Sequence, residues 1–227
     1  MMDVNKKMSR RKFLLTSAGI LGGATVLCAG GAGLAMRPVD VDMVHTSLGG
    51  NDSSGKVLVA YASMAGSTGG IAEAIGKRIN ESGVGVDVKP VDEVTDISAY
   101  RAVVVGSAII ASAWMEDAVS FLETFRNRLS QIPVAYFLGC ATLAGANNEQ
   151  TRKHVNGFLD PVRSQFPEIA AVDTGLFAGE LNFDNLPYGF RLVWPLTAGG
   201  EVKEGDYRDW NAINTWAASI TPALISA

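Results

Sequence analysis

The chain has 227 residues, of which 48% are hydrophobic, and a formal net charge of −4. This length suits one domain with additional segments, and the hydrophobic content excludes a disordered chain. The acidic balance provides no basic surface for nucleic acid. Because only two cysteines and two histidines are present, we expect no disulfide framework and no metal site.

Residues 1–36 predict a targeting segment. Basic side chains are followed by an uncharged run from Phe13 to Met36, and Ser9-Arg10-Arg11-Lys12-Phe13-Leu14 resembles a twin-arginine export signal. An uncleaved anchor is the alternative, because the run can span a bilayer of about 30 Å, and Cys28 leaves a lipoprotein open. Each version places the folded domain outside the cytoplasm, in the periplasm or at the outer face of the cytoplasmic membrane.

Residues 37–55 predict a flexible linker, since Leu48-Gly49-Gly50-Asn51-Asp52-Ser53-Ser54-Gly55 consists mostly of turn-forming residues. From Lys56 onward, apolar runs typical of strands alternate with amphipathic helical patterns. The predicted strands lie at 56–61, 84–88, 102–106 and 133–139 and within 170–181, and predicted helices include 116–129, 149–166 and 211–224. This alternation predicts an α/β domain over 56–227, a three-layer, doubly wound, five-stranded parallel sheet of order 2-1-3-4-5.

The loop Ser63-Met64-Ala65-Gly66-Ser67-Thr68 lies between the first predicted strand and the first predicted helix. A helix N-terminus has free N–H groups and a positive dipole end, so it can hold a phosphate. The serine and threonine hydroxyls add donors, and Gly66 allows close approach of the backbone. The alternative is a helix cap without a ligand. The position directly after the first strand favours phosphate binding.

Two further loops follow the third and fourth predicted strands, at the same edge of the sheet. A planar ring at this edge would need apolar walls and a few backbone polar groups. We predict that Ser107, Ala108, Ile109, Ile110 and Trp114 provide one wall and that Ala141, Thr142, Leu143 and Gly145, within the loop 139–145, provide the other. For Trp114 the alternative is packing against the following helix.

Together, these segments resemble a known family. The matching segments are 61–68, 105–109 with Trp114, 198–201 and 206–210. They resemble the flavodoxin-like superfamily, in the branch of the menaquinone-dependent protoporphyrinogen IX dehydrogenase, over about Lys56 to Ile220. The resemblance implies that FMN is bound, with its phosphate in the loop 63–68 and its ring between the two later loops. The flavin would supply the electron chemistry, and we expect no catalytic side chain.

The branch also has an insertion before the last helix, here about residues 182–207, which the resemblance links to substrate or membrane docking. Its one arginine, Arg191, contrasts with the strongly basic insertion of the dehydrogenase, so a carboxylate-bearing porphyrinogen matches it poorly. The sequence therefore favours an exported FMN-binding protein in electron transfer, working with a quinone or a redox partner protein, with membrane contact as a further prediction. The alternatives are a protoporphyrinogen IX dehydrogenase and a flavin-free binding module.

Overall fold

A mostly parallel sheet forms the centre of the structure, a computed structural model that describes residues 39–50, 55–196 and 202–226. Its strands are β1 (Thr46–Leu48), β2 (Lys56–Ala62), β3 (Val86–Pro90), β4 (Tyr100–Ile110), β5 (Ala113–Trp114), β6 (Val134–Gly139) and β7 (Ala171–Phe177). They are ordered β1-β3-β2-β4-β6-β7, with β5 paired to β4. Two short strands, β8 (Glu180–Leu181) and β9 (Gly205–Asp206), pair separately.

The parallel strands β3-β2-β4-β6-β7 confirm the predicted order 2-1-3-4-5. The central strands are buried on both faces of the sheet. Successive apolar side chains point alternately into the two hydrophobic cores. In β2, Val57 and Val59 belong to one core and Leu58 to the other. Such continuous apolar runs are typical of parallel strands covered by helices on both sides.

Helices cover both faces of the sheet. They are α1 (Ser67–Asn80), α2 (Glu116–Thr124), α3 (Arg126–Leu129), α4 (Thr142–Gly145), α5 (Glu149–Asn156), α6 (Asp160–Gln165), α7 (Tyr188–Val193) and α8 (Trp210–Ile225). Helices α1 and α8 pack on one face, and α2, α3, α5 and α6 pack on the other. The predicted helix 149–166 is two helices joined by a 3₁₀ turn, Gly157–Leu159. Pro161 lies in the first turn of the second, where its missing N–H removes no hydrogen bond of the helix.

Residues 39–48 differ from the predicted flexible linker. Strand β1 pairs antiparallel with the edge strand β3. The Val44 N–H donates to the Tyr61 hydroxyl (2.6 Å), which in turn donates to the Val44 carbonyl (3.1 Å). Met43, Val44 and Leu48 also pack on the core. These apolar residues hold the segment on the domain, and we call residues 39–48 the strap.

A buried carboxylate on β3 bonds side chains of three other strands at the N-terminal end of the sheet. Asp87 accepts hydrogen bonds from Tyr100 (2.8 Å), Ser47 (2.6 Å) and Lys56 (3.0 Å). Burial raises the pKa of the Asp87 carboxyl, but the bonds from Ser47, Lys56 and Tyr100 outweigh it and hold the pKa below its ordinary value. Burial and the bond to Asp87 raise the pKa of the Tyr100 hydroxyl. This cluster lies far from the loops that follow the C-terminal ends of the strands.

The predicted signal or anchor, residues 1–36, lies outside the described residues. Within the part of the chain that the structure describes, no helix combines the length and the apolar character needed to cross a bilayer.

Candidate functional site

A cleft of about 110 Å³ lies at the C-terminal ends of β2, β4 and β6. Parallel α/β sheets place their ligands at this edge, where the loops of neighbouring strands meet. Four segments line it: the loop after β2, the end of β4, the loop after β6, and the segment from Gly179 to Tyr207. The lining residues are Ser63, Met64, Ala65, Ser67, Thr68, Ala108, Ile109, Ile110, Gly139, Cys140, Ala141, Ala144, Gly179, Glu180, Leu181, Leu186, Trp194, Val202 and Tyr207.

The loop 63–68 leads directly into α1. Gly66 precedes the helix with φ +84°, a left-handed conformation that glycine adopts without strain. No side chain caps this helix, and its first turn has no acidic residue. Ser63 and Thr68 are buried. The first turn of α1 therefore has the character of an anion site, with backbone N–H groups and hydroxyls on one loop.

The Thr68 hydroxyl is a buried polar group of the cleft that lacks a hydrogen-bond partner within the described part of the chain. Among the described residues, several buried polar atoms have no hydrogen-bond partner, and Thr68 Oγ1 is the one that belongs to a residue lining the cleft. A buried hydroxyl without a partner is costly. An arriving phosphate oxygen would satisfy it.

Two glycines keep the space beside these hydroxyls open. A Cβ on Gly139 would lie 3.4 Å from Thr68 Oγ1, and a Cβ on Gly179 would lie 2.8 Å from Ser67 Oγ. Gly139 ends β6, whereas Gly179 precedes β8. A side chain at either position would fill the space next to the Thr68 or Ser67 hydroxyl. The two glycines therefore leave room for a ligand beside these hydroxyls.

The two residues predicted at the ends of the first ring wall lie outside the cleft, whereas Ala108, Ile109 and Ile110 line it. Trp114 is buried in the core, edge-to-face on Tyr136 with ring centroids 5.4 Å apart. Burial raises the pKa of the Tyr136 hydroxyl to about 12. The structure therefore matches the alternative of core packing for Trp114, because its indole has more apolar surface to bury below the sheet than at its edge.

Ser107 also has a structural position. Its hydroxyl accepts the Met115 N–H (2.9 Å) and donates to the Ala108 carbonyl (2.8 Å). These bonds close the β4–β5 hairpin, whose turn residues Ala111 and Ser112 have φ of 51° and 63°. Positive φ at two non-glycine residues is strained, and such strain is common in loops beside binding sites.

The second predicted ring wall is only partly present at the cleft. Ala141 lines it, together with Gly139, Cys140 and Ala144 of the same loop, while Thr142, Leu143 and Gly145 do not. Leu143 is buried in the core because the loop turns into the short helix α4 at Thr142. Gly66 is likewise absent from the lining. Because residues 142–145 form a helical turn and not an extended loop, only some residues of the loop 139–145 face the cleft.

The insertion lies against the loop 63–68. Leu181, Leu186 and Val202 form a small apolar core that includes Met64 and Ala65 of the loop. The Asn185 side-chain amide also donates to the Ala65 carbonyl (3.2 Å). Sequence reasoning missed these cleft residues, because no local pattern indicates where an insertion folds back. The apolar residues of the segment were its only signal.

One arginine organises the charges beside the cleft. Arg208 pairs with Glu180, which lines the cleft (2.8 Å), and with Asp206 (2.7 Å). The hydrogen bond from Arg208 holds the pKa of the Asp206 carboxyl below its ordinary value. Two carboxylates against one guanidinium leave this group negative. No cluster of three His, Cys, Asp or Glu residues suited to a metal ion occurs among the described residues.

Several solved structures are similar to this chain. A flavodoxin from the domain Archaea is 17% identical, with a TM-score of 0.48 over 74% of this chain and 98% of that one. The rubredoxin oxygen:oxidoreductase of Desulfovibrio gigas is 18% identical, with a TM-score of 0.47, and the match covers 75% of this chain but 36% of that one. The two-electron reduced flavodoxin of Megasphaera elsdenii is 15% identical, with a TM-score of 0.45 over 72% of this chain and 98% of that one.

The family assignment comes from the sequence itself. The family model of the flavodoxin domain matches residues 58–194, which is more than half of the chain and includes the loop 63–68 and most of the central sheet. The chain therefore belongs to the flavodoxin domain family.

Proposed function

We propose that this protein binds FMN at the cleft and acts in electron transfer. The observation that supports this most directly is the buried, unpartnered Thr68 hydroxyl in the first turn of α1, with Gly139 beside it. A phosphate monoester provides the acceptor oxygens that this hydroxyl and the helix N-terminus lack. Membership of the flavodoxin domain family supports the same cofactor.

The residues divide into two groups around such a ligand. Ser63, Ser67 and Thr68 would hold the phosphate, and Ile109 and Ile110 would flank the ring. The cofactor supplies one- and two-electron chemistry when bound. The protein binds it, limits water at the ring and sets the local charge.

A second candidate, a flavin-free binding module, is favoured by the size of the cleft. Its volume of about 110 Å³ is below the roughly 300 Å³ at which ligand pockets usually begin. Leu186 and Trp194 of the insertion take part of this space. If FMN displaces these two side chains, we expect protease cleavage within the described part of the insertion, residues 182–196, to increase when FMN is added. Unchanged cleavage together with no FMN binding would favour the second candidate.

The insertion also supports a proposal about partners. Tyr188, Leu192 and Leu196 are 62%, 59% and 87% exposed, and their spacing of four residues places them along one side of α7 and the following turn. We propose that this apolar surface contacts a quinone-bearing membrane or a redox partner, in an exported protein. Leu192→Ser with Leu196→Ser should reduce co-sedimentation with phospholipid vesicles, whereas Val172→Ser, at an exposed valine on β7, should not.

Porphyrinogen oxidation has less support from the structure. Arg191, the arginine of the insertion, donates to the Leu186 carbonyl (3.0 Å) and the Asp184 carbonyl (3.0 Å). Its guanidinium is therefore occupied within the insertion, although a porphyrinogen carries carboxylates that need cations. Oxidation of protoporphyrinogen with a quinone acceptor tests this alternative directly, and we expect no turnover.

The test of FMN binding is a titration of flavin-free protein with FMN and with riboflavin, which lacks the phosphate. Ser67→Ala should raise the Kd for FMN about tenfold, on the usual energy of a hydrogen bond to a charged group, and leave the Kd for riboflavin unchanged. Ser82→Ala is the matched control, because this serine bonds the Ile79 carbonyl at the other end of α1. Failure of the wild type to bind FMN would refute the proposal.

A further inference from the structure

The strap follows α1 from its first turn to its last. Val41 lies beside Gly66, just before the helix. Further along, Thr46 donates to the Glu73 carboxylate (3.3 Å), and Asn80 donates to the carbonyl of Gly49, the residue after the strap (2.8 Å). A segment that was predicted as a linker thus lies along the whole helix whose N-terminus forms the phosphate site.

Val41 contacts the phosphate loop at its most constrained residue. A Cβ on Gly66 would lie 2.8 Å from Val41 Cγ1, so the valine packs directly on the glycine. Gly66 has φ +84°, and its conformation sets the direction of the first N–H groups of α1. The contact of Val41 with Gly66 therefore affects the orientation of the N–H groups that would donate to a phosphate.

Tyr61 connects the strap to the first turn of the helix. Its ring carbons lie 3.0 Å from the position of a Cβ on Gly69, so the helix rests on the ring. Its hydroxyl exchanges two hydrogen bonds with the Val44 backbone, and the side chain is fully buried. One tyrosine at the C-terminal end of β2 therefore orders both the strap and the start of α1.

We propose that the strap belongs to the cofactor site, with Val41 and Tyr61 as positioning residues that hold the loop 63–68 in its phosphate-binding form. This inference rests on the proposed FMN binding. Backbone donors bind an anion tightly when they are already ordered, because the cost of ordering them then does not reduce the affinity. Neither residue lines the cleft, so both act through the loop.

The test compares Tyr61→Phe with Tyr100→Phe in the full chain. Both changes remove a hydroxyl from a buried tyrosine, but Tyr100 bonds Asp87 at the opposite end of the sheet. Loss of the strap bonds should raise the Kd for FMN about fivefold and leave the Kd for riboflavin unchanged. Tyr100→Phe should leave the ratio of the two constants unchanged. Val41→Ala should act in the same direction as Tyr61→Phe.

Hydrogen exchange provides a second readout that does not depend on a variant. In the wild type, FMN should slow amide exchange in residues 39–48 more than riboflavin does. An equal loss of FMN and riboflavin affinity in Tyr61→Phe and Val41→Ala, or no loss in either variant, would show that the strap has a structural role only. A wild type that binds no FMN would refute the proposed function itself, and this inference with it.

Discussion

Replacement of Thr68 by valine should change the stability of the free protein and its affinity for FMN in opposite directions. The side chain is 1% exposed, and its hydroxyl has no partner. An unpaired buried hydroxyl costs about 1–3 kcal/mol, and valine keeps the same shape without it. The free variant should therefore be more stable by about 1 kcal/mol, which raises Tm by roughly 2–4 °C for a domain of this size.

The same change removes a donor to the phosphate. A hydrogen bond to a charged group contributes about 1.5–3 kcal/mol, so the Kd for FMN should rise between about tenfold and a hundredfold. Thermal unfolding of the flavin-free protein and quenching of flavin fluorescence during titration measure the two effects. The opposite signs distinguish a binding residue from an ordinary core residue.

Thr221→Val is the matched control for this experiment. Thr221 is also buried, but its hydroxyl donates to the Ala217 carbonyl (2.7 Å). This variant should lose about 1 kcal/mol of stability and keep its FMN affinity. A free Thr68→Val protein that is less stable than the wild type, or one that binds FMN equally well, would contradict the assignment of this hydroxyl to the phosphate.

Three further predictions concern the sheet and its hairpin. The pKa of Asp87 is lower in the folded protein than in the unfolded chain, so its ionised carboxylate stabilises the fold fully above the unfolded-state pKa of about 4 and loses this effect as the pH falls through the folded-state pKa. Asp87→Asn should therefore make the free energy of unfolding in urea depend less on pH over this acidic range. Gly106→Ala should greatly reduce soluble expression, because the new Cβ would lie 1.9 Å from the Phe137 ring and the packed core cannot absorb it. Ser112→Gly should raise the free energy of unfolding by up to about 1 kcal/mol, since glycine relieves the φ of 63°; a less stable variant would argue against strain in this turn.

Regular patterns in the sequence predicted most of the fold. Strands such as β2 and β4 could be predicted because both of their faces are buried and their sequences are continuously apolar. The loop 63–68 could be predicted as a site because it directly follows the first strand of the parallel sheet. Trp114 could not be assigned in this way: a large aromatic side chain suits a ring site and a core equally well, and only its contact with Tyr136 distinguishes the two.

The insertion and the strap were not predictable for a different reason. Their places depend on contacts between residues far apart in the chain, such as Asn185 with Ala65 and Val44 with Tyr61. A composition rich in glycine and serine after Leu48 indicated a linker, although a few apolar residues before it suffice to hold the segment on the core. The roles of the cleft residues in binding FMN stay predictions until they are measured.

Strand β1 also affects how the molecule meets its own copies. Without it, β3 would present a row of unpaired N–H and C=O groups, which is a template for edge-to-edge association. Three residues, Thr46–Leu48, cover this edge and are too few to offer a long edge themselves. We therefore expect loss of the strap to cause concentration-dependent self-association through β3.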